Sequence, residues 1–168
     1  GVGVSVVNAL SEYLIAEVRR DGHIYKMTFE RGVATSDLEI LGETSQTGTT
    51  ITFKPDSDIF DTTEFDKKTL ERRFREMAFL NSGVQIIFED KRDDSSQTFK
   101  YDGGVSEFVE YLNRNKDPIM DTIPHFVGEQ EDTGVEIAFQ YTNSYSENIL
   151  TFANNIYTLE GGTHPVSY

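Results

Sequence analysis

The stretch "YLIAEVRRDGHIYKMTFERG" constrains the fold most. Tyr25, Met27 and Phe29 alternate with Lys26, Thr28 and Glu30. A period of two belongs to a strand with one face buried and the other in water. The run "YLIAEVRR" reads as a second strand, and "RDG" between the two carries the signal of a hairpin turn. Strand faces of this kind are unstable without a covering layer.

The remaining segments alternate between strand and helix patterns. "VGVSVVNAL" is too densely apolar for an exposed helix and is expected to be a buried one. "VATSDLEILGETSQTG" reads mostly as loop with a short strand, and "TTITFKPD" as a strand closed by Pro55. From Phe65 the period becomes helical, with Leu70, Phe74, Met77 and Ala78 following at helical intervals. Asp66 is the expected N-cap, and Asn81-Ser82-Gly83 the expected stop. "VQIIFED" and "QTFKY" bracket "KRDDSS" as a hairpin. "DGGVSEFVEYLNRNK" breaks at Gly103-Gly104, where a domain boundary is expected, and continues as an amphipathic helix. "IPHFVGE", "VEIAFQY" and "ENILTFANNI" then read as strands.

Composition removes several classes of function. With no cysteine among 168 residues there are neither disulfides nor thiolate metal sites. No apolar run approaches the roughly 18 residues of a membrane span, and the opening has no basic leader, so no signal peptide is expected. Fifteen Lys and Arg stand against 29 Asp and Glu, a net charge of −14. Such a surface repels nucleic acid at long range. That argues against a module that grips DNA, but not against a motor part that never holds DNA itself.

Few residues suggest chemistry. Gly1-Val2-Gly3 followed by a helix has the form of a phosphate-binding turn, because glycines let the backbone approach a ligand and the helix presents free N–H groups. A short GxG is more often a plain turn. In "GETSQTGTTITF" a threonine hydroxyl at a strand start could bond a ligand, or the segment could simply be a loop entering a strand. Lys67, Lys68, Arg72, Arg73 and Arg75 read as a solvated helix face. His23, His125 and His164 lack metal-like spacing.

In order, "GVGVSVVNALS", "RDG", "GETSQTGTTITFKPD", "TTEFD", "LERRFREMAFLNSGV", "YDGGVSEFVEYLNRNK", "YSENILTFANNI" and "EGGTH" closely resemble the ATPase subunits of bacterial type II DNA topoisomerases. The resemblance covers essentially the whole chain. It is closer to the DNA gyrase B family than to the sister topoisomerase IV subunits. It implies an α+β chain in two incomplete parts. Residues 1–104 would be the C-terminal half of a GHKL ATPase α/β sandwich. Residues 105–168 would begin a transducer domain with a ribosomal-protein-S5-like fold. The final "PVSY" departs from the family's usual glycine- and phenylalanine-containing continuation.

The resemblance also implies roles. Gly1, Val2 and Gly3 match the end of the glycine motif in the lid over the triphosphate, and Val4 opens the helix behind it. Thr49 matches the threonine that helps bind adenine. Arg20 matches the arginine at the pocket mouth that contacts aminocoumarin inhibitors. The family's catalytic glutamate, its magnesium-binding asparagine and its adenine-binding aspartate are expected upstream, and its transducer lysine downstream. No catalytic residue and no metal ligand is therefore assigned here. The implied cofactors are ATP and Mg2+. The implied partners are the gyrase A subunit, DNA through the parent complex, and a second ATPase domain that dimerises on ATP binding. No membrane is involved, and the location is cytoplasmic. The implied activity is ATP-driven strand passage with negative supercoiling. The alternatives are a topoisomerase IV subunit or, for the chain by itself, a non-catalytic binding fragment.

Overall fold

The computed structural model describes residues 2–130, 133–144 and 148–158. Gly1 and the tail from "EGGTH" onward, with His164, lie outside the described residues. The chain divides into two compact units, Gly1–Phe65 and Asp66–Tyr168.

The first unit begins with helix α1 (Gly3–Ala9) and is built on a five-stranded antiparallel sheet. Its strands are β1 (Ser11–Arg20), β2 (His23–Glu30), β3 (Val33–Ala34), β4 (Glu39–Glu43) and β5 (Gly48–Pro55). The order is β3-β2-β1-β5, with β4 also paired to β2. The expected hairpin forms β1 and β2 with Arg20 opposite His23. Its two turn residues, Asp21 and Gly22, have φ of +52° and +81°. Those values suit the two-residue turn whose twist matches the strands, and Asp-Gly tolerates them.

Register sorts the side chains by face. Leu14 lies between Phe29 and Phe53, Ala16 between Met27 and Ile51, and Val18 between Tyr25 and Thr49. The opposite face carries Glu17 between Lys26 and Thr50, and Ile15 between Thr28 and Thr52. The sheet is thus apolar on one side and mostly polar on the other, as the alternation in β2 predicts. Leu14 is buried at one end of the apolar face, while Ile51 and Ile40 remain exposed.

Helix α1 forms where expected but is not buried. None of its residues is buried, and Val4 and Val6 are 58% and 49% exposed. The helix packs against β1 and β2. Apolar density around a two-turn helix reports its hydrophobicity and does not supply neighbours for every side.

In the second unit, helix α2 (Lys67–Leu80) follows the N-cap Asp66, whose side chain accepts from the Thr69 N–H at 2.7 Å. Gly83, with φ +83°, follows the helix end as expected. Strands β6 (Gln85–Asp90) and β7 (Ser95–Lys100) form the predicted hairpin, and helix α3 (Gly104–Asn113) follows. Strands β8 (His125–Gln130) and β9 (Thr133–Ala138) pair next. "ENILTFANNI" is not one strand. It folds back as a minimal hairpin, β10 (Phe152–Ala153) with β11 (Ile156–Tyr157). Asn154 and Asn155 occupy its turn with φ of +49° and +66°, a conformation asparagine tolerates and a continuous strand excludes. The basic residues of α2 are not uniformly solvated either. Lys67 reaches Asp93 and Ser95, each at 2.6 Å, and Arg75 lies over aromatic rings.

Asp90, at the end of β6, is buried and receives Arg92 Nη2 at 2.6 Å. The Arg92 side chain, and then its backbone N–H, hold the Asp90 carboxyl down to about 2 against the opposing effect of burial. Its folded value lies below the ordinary one, so its stabilisation is complete above about pH 4 and is lost as pH falls toward 2. Asp90→Asn is expected to be less stable than wild type above about pH 4 and to approach it near pH 2. Denaturant midpoints across that range check the convergence.

Candidate functional site

The residues to which the family resemblance gives site roles all lie in the first unit. Thr49 is the second residue of β5, opposite Val18 on the apolar face. Gly48 before it has φ +145°, a backbone that side-chain-bearing residues rarely adopt. Nothing lies within 4 Å of a Cβ placed there, so glycine is required by conformation rather than by space. Register places Gly48 beside Arg19 and fixes where β5 begins.

The Thr49 hydroxyl makes no hydrogen bond among the described residues. Thr50, on the opposite face, accepts from Arg19 Nη1 at 3.1 Å. The two adjacent threonines are therefore distinguished by face: one is committed to the sheet, and the other is available beside Val18 and Ile51, with Tyr25 on the same face one strand further on.

Arg20 ends β1 two residues beyond Val18, so it shares that end of the sheet and that face with Thr49. Its guanidinium is 3.3 Å from Asp21, and both side chains are largely exposed. A shallow, open depression beside the turn is lined by Gly22, His23, Glu43, Thr44 and Ser45. Val2, Gly3 and Val4 form the exposed start of α1, where Val2 is the N-cap and no side chain caps the helix. The first-turn N–H groups of such a helix have no intrahelical partner. Helix α1 leads through Leu10 into the end of β1 opposite Arg20. The geometry therefore brings Thr49 and Arg20 to one strand end, with the α1 residues on a separate element.

One ion pair with a buried carboxylate escaped the sequence. Asp56 is 1% exposed, and its Oδ2 accepts from Arg31 Nε at 2.6 Å. The Arg31 guanidinium holds the Asp56 carboxyl below the usual carboxylate range. Arg31 itself has φ +47° in the β2–β3 turn, and Asp56 follows β5. This pair pins that turn to the end of the strand carrying Thr49. Pro55-Asp56 signals a turn in the sequence, but nothing local names Arg31 as its partner.

Among the described residues no group of three or more His, Cys, Asp or Glu side chains could hold a metal ion. His23 Nδ1 lies 3.0 Å from the Asp21 carbonyl oxygen, and His125 Nε2 lies 2.8 Å from Glu136 Oε1.

The DNA gyrase B family model matches residues 104–167. DNA gyrase B of Thermotoga maritima is 51% identical over 100% of the chain, which spans 28% of that protein. The B-type subunit of the type 2 topoisomerase of Aquifex aeolicus is 49% identical over 100% of the chain and 21% of its own length. A crystal structure of the 43K ATPase domain of Thermus thermophilus gyrase B in complex with an aminocoumarin superposes with a TM-score of 0.89. It has 39% identity, over 99% of this chain and 46% of that one. The mixed α/β fold is that of the gyrase B ATPase-domain structures. The chain thus spans under a third of the Thermotoga relative, and it belongs to the DNA gyrase B family as a segment of such a protein.

Proposed function

We propose that this segment forms part of the ATP-binding and clamp-closing region of a gyrase B-type subunit, which couples ATP hydrolysis to DNA strand passage and negative supercoiling. The observation that carries the reading is Thr49: an uncommitted hydroxyl on a glycine-fixed strand start, beside Val18 and Ile51, with Tyr25 on the same face one strand further on. An apolar floor with one polar group suits a heteroaromatic base. The aminocoumarin complex of the Thermus relative supports a small-molecule site on this fold.

In this reading Thr49 bonds the adenine side of ATP, and the glycine motif Gly1-Val2-Gly3 with Val4 binds its phosphates. Arg20 stands at the pocket mouth. When bound, ATP supplies the phosphoanhydride bond whose hydrolysis drives the cycle. These residues bind and orient it. By the family resemblance, the general base and the magnesium-binding asparagine belong to a part of the parent protein upstream of Gly1. Residues 1–104 belong in this reading to the nucleotide-binding domain and residues 105–168 to the transducer domain; the family match begins at residue 104, whereas the compact units divide after Phe65. The partners are the gyrase A subunit, DNA through the complex, and a second ATPase domain. The net charge of −14 supports DNA contact lying outside this segment.

Thr49→Ala in the full-length protein is expected to weaken binding of a non-hydrolysable ATP analogue. One hydrogen bond is worth about 0.5–1.5 kcal/mol, hence roughly threefold to tenfold in affinity. Thr49→Ser should be milder because the hydroxyl remains, whereas Thr49→Val should resemble Ala. Calorimetric titration of the four proteins decides. Equal affinities across folded variants would remove Thr49 from the site.

A further inference from the structure

We propose that Arg75 is a positioning residue that locks α3 to α2 and the β6–β7 hairpin, making the junction at Gly103-Gly104 a rigid joint rather than a hinge. This rests on the reading above, in which the nucleotide-binding and transducer parts meet at that junction.

A Gly-Gly pair between two domains suggests a flexible link, yet both glycines are pinned. The Gly103 N–H donates to Glu107 Oε2 at 3.0 Å, and a Cβ on Gly103 would lie 2.9 Å from the Glu107 Cβ. Gly104 is buried, has φ +59° and lies against Ser82 and the Phe79 carbonyl. Ser82 Oγ donates to the Asp102 carbonyl at 2.8 Å, and the Gly83 N–H donates to the Tyr101 carbonyl at 3.3 Å. Glycine is required at 103 by close packing and at 104 by its positive φ, and the chain on both sides is tied to the end of α2.

Aromatic packing extends across the junction. Phe79 of α2 stacks on Tyr101 at 3.6 Å and on Phe108 of α3 at 4.9 Å between ring centroids. Tyr111 of α3 tilts against the same ring at 5.4 Å. Arg75, one turn before Phe79, lies 5.2 Å from the Phe99 centroid and 5.2 Å from that of Tyr111. One guanidinium thus touches β7 and α3 from α2. In a chain with 29 acidic residues, Arg75 pairs with no carboxylate among the described residues. Its charge lies over rings instead, where cation–π attraction holds it and the broad guanidinium reaches both rings at once. A motion of α2 is therefore transmitted to α3 without bending at residue 104.

The test uses the full-length protein in complex with the gyrase A subunit, comparing Arg75→Ala, Arg75→Lys, Tyr111→Leu and Tyr111→Phe with wild type. Supercoils introduced per ATP hydrolysed are expected to fall at least fivefold for Arg75→Ala and Tyr111→Leu. Affinity for a non-hydrolysable ATP analogue should stay within twofold. Tyr111→Phe keeps the ring and should match wild type, and Arg75→Lys should fall between. Coupling within twofold of wild type in both Arg75→Ala and Tyr111→Leu would overturn the proposal, as would affinity falling in step with coupling.

Amide hydrogen exchange of the full-length protein reads the joint without reference to activity. In Arg75→Ala, residues 104–113 should exchange at least tenfold faster while residues 11–20 are unchanged. Unaltered exchange at 104–113 would overturn the rigid joint. Failure of wild type to bind the analogue, with the exchange result intact, would instead overturn the functional reading.

Discussion

Phe79→Ala is expected to be the most destabilising single substitution in the second unit. Phe79 is 1% exposed and packs on Tyr101, Phe108 and Tyr111. Its neighbour Ala78 is fully buried, and Phe99 and Phe108 are buried as well. Truncation removes the transfer free energy of a whole ring and leaves a cavity that stacked rings cannot easily close. Phe→Ala changes in cores cost about 3–5 kcal/mol, or roughly 10² to 4×10³ in the folding constant. Phe79→Leu keeps most of the apolar volume and should cost less. Denaturant titration of the three proteins checks the order. A Phe79→Ala loss below about 1 kcal/mol would show that the ring is not the centre of this core.

The 168-residue polypeptide by itself is expected not to hydrolyse ATP. Phosphoryl transfer to water needs an oriented nucleophile and neutralisation of charge on the transferring group. Among the described residues no group of three or more His, Cys, Asp or Glu side chains could hold a metal ion, and the family resemblance places the catalytic glutamate upstream of Gly1. Absence of a positioned base alone typically costs about 10²–10⁴-fold. Magnesium-dependent phosphate release should equal the no-protein blank in a preparation free of host topoisomerase. Saturable turnover that follows the polypeptide through purification would contradict this.

Much of the first unit was legible because its signals are local. The alternation of Tyr25, Met27 and Phe29, with Asp21-Gly22 before it, is enough to pair β1 with β2. Asp66 and Gly83 bracket α2 through backbone chemistry alone. The misread features depend on neighbours that local patterns do not show. The valines of α1 read as buried, although burial needs a second surface. Arg75 read as solvated, since no spacing along α2 reveals that Phe99 and Tyr111 converge on it. Asn154-Asn155 splits the last predicted strand because a turn residue can sit inside an apolar run.

The candidate site divides in the same way. That Thr49 starts a strand was readable from "TGTTITF", with Gly48 just before it. Which of Thr49 and Thr50 faces the apolar side depends on pairing with β1, where Val18 and Glu17 define the two faces. The Arg31–Asp56 pair joins residues 25 positions apart, beyond any local pattern.

Photoaffinity labelling of the full-length protein with an ATP analogue reactive at the base tests the nucleotide-site reading most directly. Digestion and mass spectrometry would map the sites of attachment. Label is expected in the peptide containing Thr49, suppressed by excess ATP and reduced in Thr49→Val. Label that ATP suppresses, but that falls entirely outside residues 1–168, would contradict it.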